Sequence, residues 1–114
     1  MSRPQNEFEL RAEVYSALRA VLGDRVRGEW LSERTLLRTT KSGMRQRGAR
    51  YDIVVLDPEY QKVILILEVK RNTTGEPPLK LAYYAKLEGC PVWVVNQATR
   101  AHVVERVLKF IESS

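Results

Sequence analysis

The run Tyr51-Asp52-Ile53-Val54-Val55-Leu56-Asp57-Pro58-Glu59-Tyr60-Gln61-Lys62-Val63-Ile64-Leu65-Ile66-Leu67-Glu68-Val69-Lys70 decides the architecture of this chain. Two blocks rich in Val, Ile and Leu flank an Asp-Pro turn signal. That composition predicts a strand over 51–56, a turn around Asp57-Pro58-Glu59-Tyr60 and a second strand over 62–70. Both blocks are apolar on successive residues, so both faces of their sheet need cover, and helices on each side supply it. The expected class is a layered α/β domain.

Outward from the hairpin, the remaining elements follow from periodicity. Phe8, Leu10, Val14, Tyr15, Leu18, Val21 and Leu22 recur at helical spacing, predicting a first helix over 5–22 that Gly23-Asp24 ends. Residues 25–37 scatter Val26, Trp30, Leu31, Leu36 and Leu37 among charges and suggest a short strand near the start. The stretch 39–49 holds Ser42-Gly43, Gly48 and three basic residues without periodicity, the pattern of an exposed loop. Beyond the hairpin, Gly75 and Pro77-Pro78 make 72–78 a loop. Residues 79–87 form a short helix stopped by Gly89, 91–95 a buried strand, and Thr99 is the expected cap of a closing helix reaching Ile111. The order is α, three β, α, β, α in a single domain spanning 1–114.

Polar groups inside an apolar strand need a cause, because a buried charge costs several kcal/mol unless it is paired or metal-bound. Glu68 and Lys70 are two apart on one strand and leave the same face. A turn centred on Tyr60 makes paired positions sum to about 120, which sets Asp52 across from Glu68 with Cβ atoms ~5 Å apart. Two carboxylates that close resist joint ionisation unless a cation lies between them. A few hard oxygen ligands suit Mg2+ or Mn2+ rather than zinc. Lys70 is then placed to orient or deprotonate an attacking water and to neutralise a phosphoryl oxyanion.

Composition narrows the alternatives. The chain has 114 residues, one Cys and one His, so it holds no internal disulfide and no Cys/His zinc cluster. His102 falls on an amphipathic helix with no nucleophile suggested nearby, which argues against a Ser-His-Asp triad. No apolar run approaches the ~18 residues of a membrane span, and a cytoplasmic location is expected. The net charge is +5. Between positions 25 and 50 stand Arg25, Arg27, Arg34, Arg38, Lys41, Arg45, Arg47 and Arg50 against only Glu29 and Glu33, a balance that favours a polyanion such as DNA. Trp30 and Trp93 are aromatic enough to stack on bases, although core packing suits Trp93 better.

Asp52, followed by Glu68-Val69-Lys70 at the close of the apolar run 63–67, resembles the signature of the PD-(D/E)XK nuclease superfamily. The resemblance covers most of the chain from Glu7 to about Gln97. It implies a restriction endonuclease-like αβββαβ core with a mixed sheet flanked by helices, and a magnesium-dependent DNA nuclease. Asp52, Glu68 and the carbonyl of Val69 would hold Mg2+ or Mn2+, and Lys70 would be the catalytic lysine. A first-helix glutamate often joins such sites. Glu7 is favoured here, then Glu13, with Glu9 pointing away. Arg45, Arg47, Arg50, Lys41 and Lys80 are the expected nucleic-acid contacts, and one site per chain implies a homodimer or partner subunit for duplex cutting. The proline that names the motif is replaced by Tyr51. Where some relatives carry Gln-X-X-X-Tyr on the following helix, this chain has Lys80 through Tyr84. The competing expectation is a non-catalytic nucleic-acid-binding module or accessory subunit on the same fold.

Overall fold

The computed structural model describes residues 6–40, 43–70 and 79–113, with side chains placed outside 33–49 and 71–80. Helix α1 (Glu7–Leu22) begins where the Asn6 side chain accepts a 2.7 Å hydrogen bond from the Glu9 N–H, satisfying a donor that a helix start leaves open. It ends at Gly23, whose φ of 60° suits a residue without Cβ. A short 3-10 turn, Gly23–Arg25, leads into β1 (Val26–Thr40), followed by β2 (Gly43–Leu56), β3 (Val63–Val69), α2 (Leu79–Glu88), β4 (Val92–Val95), a 3-10 turn Arg100–His102 and α3 (Val103–Glu112).

The four strands lie in the order β1-β2-β3-β4. β1 with β2 and β2 with β3 are antiparallel, whereas β3 and β4 run parallel. A parallel pair needs a crossover, and α2 is part of the one between β3 and β4. The sheet is therefore mixed, and it is buried on both faces as the two-sided apolar blocks require. On one face Ile53, Val55, Leu65, Leu67 and Val69 meet Leu10, Val14 and Leu18 of α1 and Val103 and Val107 of α3. On the other, Tyr51, Val54, Leu56 and Ile66 meet Leu81 and Tyr84 of α2.

Two expectations need correction. Residues 39–40 and 43–49 lie in strands, not a loop: β1 continues to Thr40 and β2 starts at Gly43, so the short strand expected after Arg25 is one half of a long hairpin. Its outer part has no apolar alternation in sequence, and its pairing is carried by the backbone. Thr99 is not the cap of the closing helix. Asn96 Oδ1 accepts from the N–H groups of Ala98 and Thr99, and the Thr99 hydroxyl turns back to accept from the Asn96 N–H at 3.0 Å.

The base of the hairpin is tied to α2 by one carboxylate. Glu88 accepts from the Ser32 hydroxyl at 2.5 Å and from the Tyr51 hydroxyl at 2.9 Å. Burial pushes the Tyr51 phenol well up, the Ser32 hydrogen bond opposes, and Glu88 adds to the rise. Tyr84 shifts the same way, again chiefly through burial. Both phenols thus keep their protons more tightly in the folded state than in the unfolded one. Their contribution is complete below the ordinary phenol pKa of ~10 and is lost as pH rises past it. Thermal melts should show a stability decline setting in near pH ~10, and it should be shallower in Tyr51→Phe.

Candidate active site

The β2–β3 register pairs Ile53 with Leu67, Val54 with Ile66 and Val55 with Leu65, which is the register expected from the turn. The paired ladder ends there, at Ile53↔Leu67, just before Asp52 and Glu68. Strand β2 is irregular at this step, since Tyr51 packs on the α2 side and Ile53 on the α1 side, so alternation breaks at Asp52. The neighbouring strand is irregular too: between the pairs Gly28↔Ile53 and Trp30↔Tyr51 stands Glu29, with φ at 47°. Such local departures re-aim side chains. Here the Asp52 carboxylate is turned along the sheet, where Oδ2 accepts the Val69 N–H at 2.9 Å and Oδ1 lies 3.5 Å from the Arg11 guanidinium. Arg11 also reaches Glu29 at 3.4 Å.

Glu68 is 4% exposed, one of the two buried polar side chains among the described residues. Residues 66 and 68 share a β3 face by alternation, and Ile66 belongs to the α2 side. Tyr84 on α2 registers the whole group: after burial, the negative charges of Glu68 and Asp52 raise its phenol further, and Lys70 opposes them. All three charges therefore act on one hydroxyl. Lys70 follows β3 directly, its N–H donating to the Val95 carbonyl at 2.9 Å, and its ammonium lies 3.9 Å from Glu7.

Of the first-helix glutamates, Glu7 lies beside Lys70. Glu13 is turned to Arg100 at 3.2 Å. Arg11, one turn after Glu7 on the same helix face, is the neighbour of Asp52 that sequence reasoning missed. A pocket of about 280 Å³ opens beside Asp52, lined by Phe8, Arg11, Tyr15, Gly28 and Glu29 among others. Gly28 packs closely there: a Cβ would sit 3.3 Å from the Tyr15 ring, which would have to give by a few tenths of an ångström. Arg50 is exposed at the base of the hairpin. Lys41 and the side chains of Arg45, Arg47 and Lys80 lie outside the described residues. Trp30 packs against the Tyr51 cluster, and Trp93 packs edge-on to Phe110 at 5.5 Å.

Asp52, Glu68 and the Val69 carbonyl are hard oxygen donors of the kind that Mg2+ or Mn2+ takes. Among the described residues no group of three or more Asp, Glu, His or Cys side chains is placed to hold a metal, so water and the Val69 carbonyl would have to complete the shell. No described helix is long and apolar enough to cross a membrane. Compared with known protein families, with curated proteins and with solved structures, the chain matches none.

Proposed function

We propose that this chain is a divalent-metal-dependent nuclease of restriction endonuclease-like type that hydrolyses phosphodiester bonds in DNA. The observation that carries the reading is Glu68, a carboxylate 4% exposed in an apolar strand, beside Val69, whose N–H donates to Asp52, and two residues from Lys70. Asp52, Glu68 and the Val69 carbonyl would hold Mg2+ or Mn2+, which when bound supplies Lewis-acid activation of phosphate and water. The chain's own groups do the rest. Lys70 neutralises a phosphate oxygen and orients water, and Glu7 keeps its ammonium close. Tyr84, held protonated, offers a hydrogen bond on the α2 side. Cleavage of both duplex strands requires two such sites, hence a homodimer or partner subunit.

Isothermal calorimetry with Mn2+ and chelator-sensitive nicking of supercoiled plasmid test this reading. A protein that takes up neither Mg2+ nor Mn2+ and leaves plasmid intact refutes it. Arg11 on Asp52 favours the second reading, a binding module without cleavage, because a guanidinium already neutralises one of the two acids. Salt-dependent DNA binding with no metal uptake would select it.

Under the nuclease reading Arg11 competes with the cation. An ion pair this accessible is worth at most ~1 kcal/mol, or about fivefold in affinity. Arg11→Gln should therefore tighten Mn2+ binding by up to about fivefold in the same calorimeter; unchanged or weaker binding would show that Arg11 does not shield the site.

A further inference from the structure

We propose that the outer part of the β1–β2 hairpin is a duplex-binding arm that lies in the major groove of B-form DNA and leads the strand to Asp52. The inference rests on the nuclease reading for what happens at Asp52, but not for the binding itself.

From the pair Leu31↔Arg50 to the pair Thr40↔Gly43, β1 and β2 continue as a ribbon, while β2 is joined to β3 only from Ile53 to Leu56. Past Ser32, which is bonded to α2, positions 33–40 at ~3.4 Å per residue reach roughly 27 Å further, most of one turn of duplex. Positions 31–50 hold Arg34, Arg38, Lys41, Arg45, Arg47 and Arg50 against Glu33, six positive less one negative. The whole chain has 19 basic and 14 acidic residues, so the arm carries a net +5 and the remainder of the chain, 13 against 13, carries none. The net charge of the protein is the charge of this arm.

Register adds a second observation. Arg38 is the Cα partner of Arg45, and Arg47 is the partner of Leu36. Like charges directly across a ladder are unfavourable, and an anion bound beside that pair removes the penalty.

The chemistry of the arm also chooses among nucleic acids. Single-strand binders need aromatic platforms for bases, and positions 31–50 contain no Phe, Tyr, Trp or His. The major groove of B-DNA, ~12 Å wide, admits a two-stranded ribbon, whereas that of duplex RNA is too narrow and deep to be read. Arginine, glutamine and threonine, which the arm does contain, are residues that contact phosphates and base edges.

The test is fluorescence anisotropy in chelator, so that cleavage plays no part, with a 30-base-pair DNA duplex, the same single strand and an RNA duplex, across a salt series. The wild-type chain should bind duplex DNA at least about tenfold more tightly than either other probe. R38Q/R45Q should weaken duplex binding about tenfold and lower the salt slope by about two, the loss of two phosphate contacts, with an unchanged melting temperature. Equal binding of single strand or RNA, or an unchanged slope in R38Q/R45Q, overturns the arm. Duplex binding with the predicted slope but no metal-dependent nicking would leave the arm standing and remove the nuclease reading instead.

Discussion

Lys70→Ala should lower metal-dependent DNA cleavage by about 10²- to 10⁴-fold, the range seen when a positioned proton-transfer or oxyanion-stabilising group is lost, while leaving cation uptake in place. Lys70 is not a ligand in this arrangement. Its ammonium, 35% exposed, faces Glu7 at 3.9 Å. Glu68→Gln should behave differently although it lies only two residues away. It keeps the shape of the side chain and removes the charge that a cation needs. At ~100-fold excess over its dissociation constant a bound ion adds about 2.7 kcal/mol to the stability of a fold. Mg2+ should therefore raise the melting temperature of the wild-type chain and of Lys70→Ala, and raise that of Glu68→Gln little. If all three chains respond alike to Mg2+ and cleave alike, Glu68 and Lys70 have only structural roles and the site is elsewhere.

Leu67→Ala should cost about 2–5 kcal/mol of folding stability. Leu67 is fully buried, paired with Ile53 in the middle of the sheet and packed on the α1 and α3 side. The lost side chain leaves a void bounded by two helices and two strands, which cannot all close in on it. For a domain of this size each kcal/mol shifts the midpoint by about 3–6 °C, so melting followed by circular dichroism should fall by roughly 10–20 °C. A drop of only a few degrees would mean that the sheet repacks around position 67, and that the carboxylates it positions are less firmly held than the packing implies.

The central hairpin was legible because two dense apolar blocks flank Asp57-Pro58, whose role the structure makes concrete. Asp57 Oδ1 accepts from the N–H groups of Gln61 and Lys62. From that turn the register from Ile53↔Leu67 to Val55↔Leu65 followed. The helices were legible from their stripes and from Gly23 and Gly89. The arm was not, because its sequence has no apolar alternation: its pairing is backbone to backbone, and its residues read as a polar loop. Arg11 was hidden for a different reason. Its approach to Asp52, 41 residues away, depends on where α1 crosses the sheet and on the break in alternation at Asp52 and Glu29. No local pattern encodes either.

Strand β1 is the outer strand of the sheet, and at 15 residues it is more than three times as long as the four-residue β4 on the opposite side. A border of that length exposes unpaired N–H and C=O groups that invite a second chain to zip on, and charged residues are one means by which proteins prevent it. A ribbon rich in arginine is in this way guarded against self-association, so neutralising those residues for any purpose brings the risk of fibrous, edge-to-edge polymers.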